Sequence, residues 1–186
     1  MNADPVEGTE AGPFAGLGYN ESVDIALATI QMSQVEFSHM ADSKANIMIT
    51  VSSILLTLTV AKIEQGTLVV PAIAAAAFCV PALVFAILCV MPSIAVRAKP
   101  IKDDEKLKHF NPLFFMHFTR LSVRRFEREL GRVIADPQEL YQCLSSDIYY
   151  AGMVLRKKKF LYLRWSYLSL LFGLLVSGLA LLYELI

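Results

Sequence analysis

The sequence predicts an all-α membrane protein with three transmembrane helices, two of them extended into a small cytoplasmic helical cap. Three observations carry that expectation. Hydrophobic residues make up 55% of the 186, and mean hydropathy is +0.51, high for a soluble domain of this size. Three segments are apolar over the roughly 20 residues that a helix needs to cross hydrocarbon. Finally, 15 of the 17 Lys+Arg fall between Arg97 and Arg164, an asymmetry that sets orientation through the positive-inside rule.

The elements follow in chain order. Residues 1–19 are Gly- and Pro-rich, acidic and without periodicity, which reads as a disordered tail. The first 43 residues hold no Lys or Arg and no early apolar core, so no secretory signal is expected. From Asn20 a helix is predicted, with Asn20 or Ser22 as N-cap and Glu21 and Asp24 favourable in its first turn. No Pro or Gly interrupts Val23 to Ile63. The prediction is one helix of about 40 residues, about 60 Å long, whose outer half (Ala45 to Ile63) is the first span. The second span runs from Leu68 to Met91, with Pro71 and Pro92 at its ends and Pro81 in the middle as a hinge, where the missing N–H breaks the bond to Ala77.

The segment 92–164 joins spans two and three and is the cytoplasmic helical region. Asn111-Pro112-Leu113-Phe114-Phe115 reads as a turn followed by aromatics, and a helix is predicted from about Thr119 to Ala135. A second long helix begins at Asp136-Pro137-Gln138-Glu139, with a cap, a proline at N1 and Glu at N3. Its seam of Tyr141, Leu144, Ile148, Ala151 and Leu155 faces a partner helix. It is expected to run straight into the third span, Trp165 to Tyr183, with Gly152 as its single soft point. Positive-inside then puts the N-terminus and 92–164 in the cytoplasm and the C-terminus outside. The segment boundaries are therefore 1–19, 20–91, 92–164 and 165–186.

Several constellations compete for a functional role. His39, Asp42, Asn46, Thr50, Ser53, Thr57 and Glu64 fall within an arc of about 80° of the first helix. A polar line along a span should not face lipid. It serves either as interhelical glue or, once copies assemble, as the lining of an aqueous path. Ser169, Gly173 and Ser177, four apart in the third span, suit close helix packing, within the chain or between subunits. Arg120, Arg124, Arg128 and Arg132 form a rail with Val123, Phe126, Leu130 and Val133 opposite. Guanidinium groups in a row suit phosphate oxygens. Its partners are a nucleotide, anionic lipid or the acidic N-terminal segment, and the bland reading is a solvated face with local pairs such as Arg125 with Glu129.

No catalytic arrangement is visible, so an enzyme is not expected. His39, His109 and His117 lack companions at ligand spacing, and no Gly-rich phosphate loop or nucleophile elbow occurs, so no metal and no cofactor are expected. Cys79, Cys89 and Cys143 make neither a disulfide framework nor a zinc site, and the first two read as apolar filler. Zero net charge argues against a nucleic-acid partner.

The run Ser38-His39-Met40-Ala41-Asp42-Ser43-Lys44-Ala45-Asn46-Ile47, an A-D-x-K-A box entering a span, resembles the transmembrane effector domain of Pycsar antiphage systems. So do Asn111-Pro112-Leu113-Phe114-Phe115 ahead of a charged helix, and a final helix whose Leu144-x3-Ile148 stretch leads through a basic cluster into the last span. The resemblance covers about residues 25–183. It implies a bacterial inner-membrane effector, acting as a homo-oligomer on membrane lipid. It would impair that membrane when a partner cyclase makes cyclic CMP or cyclic UMP, the nucleotide being a signalling ligand. No separate cyclic-nucleotide-binding domain is recognisable, so the resemblance implies either no direct binding of the messenger or a helical site of its own, with the Arg rail as candidate. Asp42 and Lys44 lie at the same membrane surface as Lys157, Lys158, Lys159 and Arg164. Asp42 is expected to pair with one of these cations as a latch between the two long helices, the alternative being a plain interfacial anchor. The alternative function is a non-conducting membrane scaffold that recruits a partner through its cytoplasmic helices.

Overall fold

The computed structural model describes residues 13–91 and 110–185, and among these the chain is helical between short turns, with no strand. Pro92, His109 and the lysines between them lie outside the described residues. The helices are α1 (Glu21–Glu64), α2 (Val69–Val90), α3 (Phe115–Phe118), α4 (Val123–Ala135), α5 (Pro137–Val154) and α6 (Leu161–Leu185), with a π-helical segment, Leu155–Phe160, between the last two. Three stretches are long and apolar enough to cross a membrane, on α1, on α2 and on the run from α5 through α6. The chain divides into two compact units, residues 1–31 with 94–150 and residues 32–93 with 151–186.

Local chemistry accounts for the ends of the elements. Asn20 caps α1, its side-chain oxygen accepting from the amides of Ser22 (3.0 Å) and Val23 (3.4 Å), and Glu21 and Asp24 occupy the first turn. The helix stops at a Schellman turn. Thr67 donates to the Lys62 carbonyl, Gly66 donates to that of Ile63, and Gly66 holds φ +68, a conformation that a residue with a Cβ rarely adopts. Leu68 is also left-handed and turns the chain directly into α2.

In the unit of 32–91 and 151–185, α2 and α6 pack along their length, and small residues make this close approach possible. Gly173 lies so near α2 that a Cβ there would stand 2.7 Å from the Cβ of Phe78. Ser166 donates to the Ala82 carbonyl (2.7 Å) and Ser177 to that of Pro71 (3.0 Å), while Ser169 is half-buried on the same helix. The small-residue row in the third span thus packs inside the chain. Ala41, Ala45 and Met48 of α1 join Ala86 and Cys89 of α2 and Leu163 of α6 in one buried cluster. Cys79 and Cys89 are buried, and Pro81 sits inside α2, half-buried.

In the unit of 13–31 and 110–150, Tyr141 is the buried centre. Its hydroxyl accepts the Asn20 amide (2.9 Å) and its ring meets Phe14 at 6.2 Å. A tail without structure was expected through Tyr19. Its described part, Pro13–Tyr19, instead holds a turn (Leu17 amide to Phe14 carbonyl, 3.1 Å), and the Tyr19 hydroxyl donates to the Ile134 carbonyl. Two aromatics that composition averages away supply these contacts. One further departure concerns the helices. The helix expected from Thr119 starts at Val123, because Ser122 is extended (ψ 152) at the N-cap position. The final helix continues into the third span as expected, helical from Pro137 to Glu184, and widens to π-helical turns at Leu155–Phe160, just beyond Gly152. Asp136 does cap α5, accepting from the Gln138 amide at 2.9 Å.

Gly173→Ala is expected to destabilise the chain in detergent by about 1–3 kcal/mol through overpacking. Gly178→Ala, whose new methyl would meet nothing within 4 Å, is expected to leave the unfolding midpoint unchanged.

Candidate functional site

Of the charged groups expected at the membrane surface, Asp42 and Lys159 are the two that meet. The Lys159 ammonium donates to both carboxylate oxygens of Asp42 (2.7 and 2.6 Å) and to the hydroxyl of Ser38 (2.7 Å). The side chains of the pair are only 20% and 31% exposed. Ser38 and Asp42 stand one turn apart on α1, so a single cation spans both. Of the other candidates, Lys158 donates to the Met91 carbonyl (2.9 Å), closing the C-terminus of α2, while Lys44, Lys157 and Arg164 are exposed.

The π-helical segment supplies these two lysines. Wider turns of this kind are rare and occur mostly at functional sites, because the i to i+5 pattern re-aims side chains and carbonyls. Here Lys158 is turned to α2 and Lys159 to α1, and the Lys159 carbonyl accepts the Cys89 thiol (3.3 Å). The sequence signal for this element is three consecutive lysines followed by an aromatic just past Gly152. That signal marks a membrane surface but does not specify a π turn.

The polar stripe on α1 lies on the outside. His39, Asn46, Thr50, Ser53, Thr57 and Glu64 are exposed, and Asp42 alone is half-buried. Thr50 donates to the Asn46 carbonyl and Thr57 to that of Ser53, both at 3.0 Å, the one-turn-back bonds open to hydroxyls in a span. His39, Asp42, Asn46 and Thr50 border an open groove of about 550 Å3. Among the buried α1 residues, Ser52 is polar and its hydroxyl finds no acceptor or donor. Ser52 falls outside the polar arc and was not singled out in the sequence.

The Arg rail sits in the other unit and is partly reassigned. Arg120 lies in the turn before α4, and its amide bonds the His117 carbonyl (3.2 Å). Arg124 and Arg128 are exposed on α4. Arg132 is held by Glu139 and by Glu129 (3.2 Å), and the Glu139 hydrogen bond holds its guanidinium above the ordinary pKa. Glu129 thus pairs with Arg132, while Arg125 is buried and Val123 exposed, both the reverse of expectation. The Arg124–Arg128 pair is what remains of an open cationic face.

Asn111 organises the turn ahead of this helix. Its side chain donates to the Cys143 carbonyl (2.8 Å) and accepts from the Leu113 amide (2.9 Å), and its own amide donates to His117 Nδ1 (3.1 Å). Phe110 stacks on the His117 ring at 5.5 Å and Phe114 meets it edge-on at 5.0 Å. Burial, then the charge of Arg120, pushes His117 below the ordinary imidazole pKa, in keeping with a neutral ring accepting at Nδ1. On α5, burial raises the carboxyl of Asp147, near the amide of Gln31 (3.5 Å). Among the described residues no cluster of His, Cys, Asp and Glu is placed to hold a metal ion.

Comparison with known families finds that the Pycsar effector protein domain matches residues 25–184. No curated protein and no solved structure matches the chain.

Two predictions follow from these contacts. Asp42→Ala is expected to cost about 1–3 kcal/mol, between the values for exposed and buried pairs, since it strands Lys159. The double exchange Asp42→Lys with Lys159→Asp is expected to recover part of it, read by unfolding in detergent. The second concerns pH. A depressed folded-state pKa means that the neutral His117 ring contributes fully above the free imidazole value of 6.5 and loses its contribution as pH falls below it. Unfolding measured between pH 7.5 and 5 is expected to show a shallower acid loss for His117→Gln than for the native chain.

Proposed function

Because the chain belongs to the Pycsar effector family and is a membrane effector of antiphage defence, we propose that it makes the bacterial inner membrane leak when a partner cyclase produces cyclic CMP or cyclic UMP. The observation that carries this reading is the polar line on α1, exposed along a span and left uncovered by the chain's own α2 and α6. Such a line is unfavourable against lipid and suits a path that water enters. Orientation rests on charge: with 15 of 17 Lys+Arg between Arg97 and Arg164, that segment belongs on the cytoplasmic side, where a nucleotide messenger arises.

In this account the Asp42–Lys159 contact belongs to the closed state, and the messenger favours a state in which it is broken. A shift from 1:99 to 99:1 needs about 5.5 kcal/mol of differential binding, more than the about 1–3 kcal/mol of one partly buried ion pair, so the messenger must gain contacts of its own. Arg124 and Arg128 are the candidates, as exposed guanidinium groups one turn apart that can share a phosphate.

The test is dye release from liposomes that contain the purified chain. Release on adding cyclic CMP or cyclic UMP, and little without it, is the expected result. No release at saturating nucleotide, with insertion verified, would favour the non-conducting scaffold. The double variant Arg124→Ala, Arg128→Ala is expected to weaken nucleotide binding at least tenfold, and unchanged affinity would remove the rail from the site.

A further inference from the structure

One face of α1 has the polarity opposite to its surroundings at both ends. At 100° per residue, Ile25, Ala28, Met32 and Val35 share an arc of about 80° with His39, Asn46, Thr50, Ser53 and Thr57. All nine are exposed; Ile25, Met32 and Val35 are 59%, 73% and 53% accessible. Outside the span, where water is the solvent, this face is apolar. Inside the span, where hydrocarbon is the solvent, it is polar. Neither half suits its medium, and the change falls within one turn, between Val35 and His39.

We propose that this face is the self-association surface of the protein: a second copy docks on it, α1 along α1 and parallel. The chain's own helices do not fill it, because the buried seam of Ala41, Ala45, Met48 and Ser52 lies about 150° around the helix. A second copy fits for three reasons. Copies inserted in the same sense hold Met32 beside Met32 and Asn46 beside Asn46 at equal depth, so the changeover matches automatically. The span residues are self-complementary, since the Asn46 carboxamide both donates and accepts, while the Thr50 and Thr57 hydroxyls, whose protons serve the carbonyls one turn back, still accept. The spacing is regular in both halves. From Ile25 to His39 the steps are 3, 4, 3 and 4, a heptad seam with Met32 and Val35 as knobs. From Asp42 to Thr57 they are 4, 4, 3 and 4, close to the eleven-residue period, whose helix pairs wind right-handed. The inference deepens the proposed function by naming what covers the polar line, but it rests on the spans and not on the messenger.

Cysteine cross-linking in liposomes that hold this chain alone, at low protein density, tests it. Single cysteines are placed at Met32, Val35, Asn46 and Ser53, and, off this face, at Leu58 of α1 and the exposed Val84 of α2, all with Cys143→Ala; Cys79 and Cys89 are buried, and the parent gives the background. The stripe positions are expected to give at least tenfold more disulfide dimer than Leu58 and Val84. Equal yields from both sets, or stripe yields at background, would overturn the proposal. Photobleaching steps of the unmodified chain in the same liposomes guard against variants that fail to fold: pairs or larger groups are expected, and monomers alone would overturn it. Cross-links that form in cells but not in these liposomes would assign the face to another protein and also overturn it. Dimers without nucleotide-triggered dye release would leave this surface standing and remove the proposed leak, whereas release from monomers would do the reverse.

Discussion

Hydrocarbon offers a helix no hydrogen-bond partner and no hydrophobic drive toward its neighbours, and the spans of this chain are arranged around that constraint. Where α2 meets α6, attraction comes from close approach and from hydroxyls lent to the opposing backbone. Gly173 admits Phe78, and Ser166 and Ser177 each reach a carbonyl of α2. These contacts are short and directional, so they fix α2 against α6 at defined positions. Helix α1 joins it through small residues, Ala41 and Ala45, and through one cation.

That cation is where the covalent path and the packing meet. Lys159 belongs to the run that becomes α6, yet it is bound by α1, and its neighbour Lys158 closes α2. A regular helix would direct two consecutive residues about 100° apart with its carbonyls sealed in its own ladder. The π segment alters both the aim and the ladder, leaving a carbonyl for Cys89. A rare helical turn, a cluster of three lysines, the end of α2 and the middle of α1 thus meet in one place. An altered backbone ladder and a cluster of charge fall together at one point of an otherwise closely packed set of helices.

Membership in the Pycsar effector family and the outward polar line on α1 describe the same molecule from two sides. A membrane effector must stay harmless until it is needed, and a line of hydroxyls and an amide facing away from its own bundle is costly against lipid. On the proposed reading, covering that line keeps the spans quiet and opening it to water does not. The arginines of α4 show a similar division of labour: Arg132 is committed to two carboxylates, Arg125 is buried, and Arg124 with Arg128 stays on the surface.

Length, hydropathy and the position of 15 of 17 basic residues were enough to determine an all-helical chain with three spans, because crossing hydrocarbon is a local demand that each segment meets by composition. The Asn20 and Asp136 caps were legible for the same reason, since a cap is decided within four residues. Only the tertiary structure decided which cation meets Asp42, that Glu129 takes Arg132 while Arg125 is buried, and that Phe14 and Tyr19 bring the end of the tail into the fold. It also decided that the serines of α6 serve α2 while the polar line of α1 faces outward. Periodicity specifies which residues share a helix face, but not the direction of that face. Direction depends on how neighbouring helices crowd around it, and a π turn of a few residues is enough to redirect it.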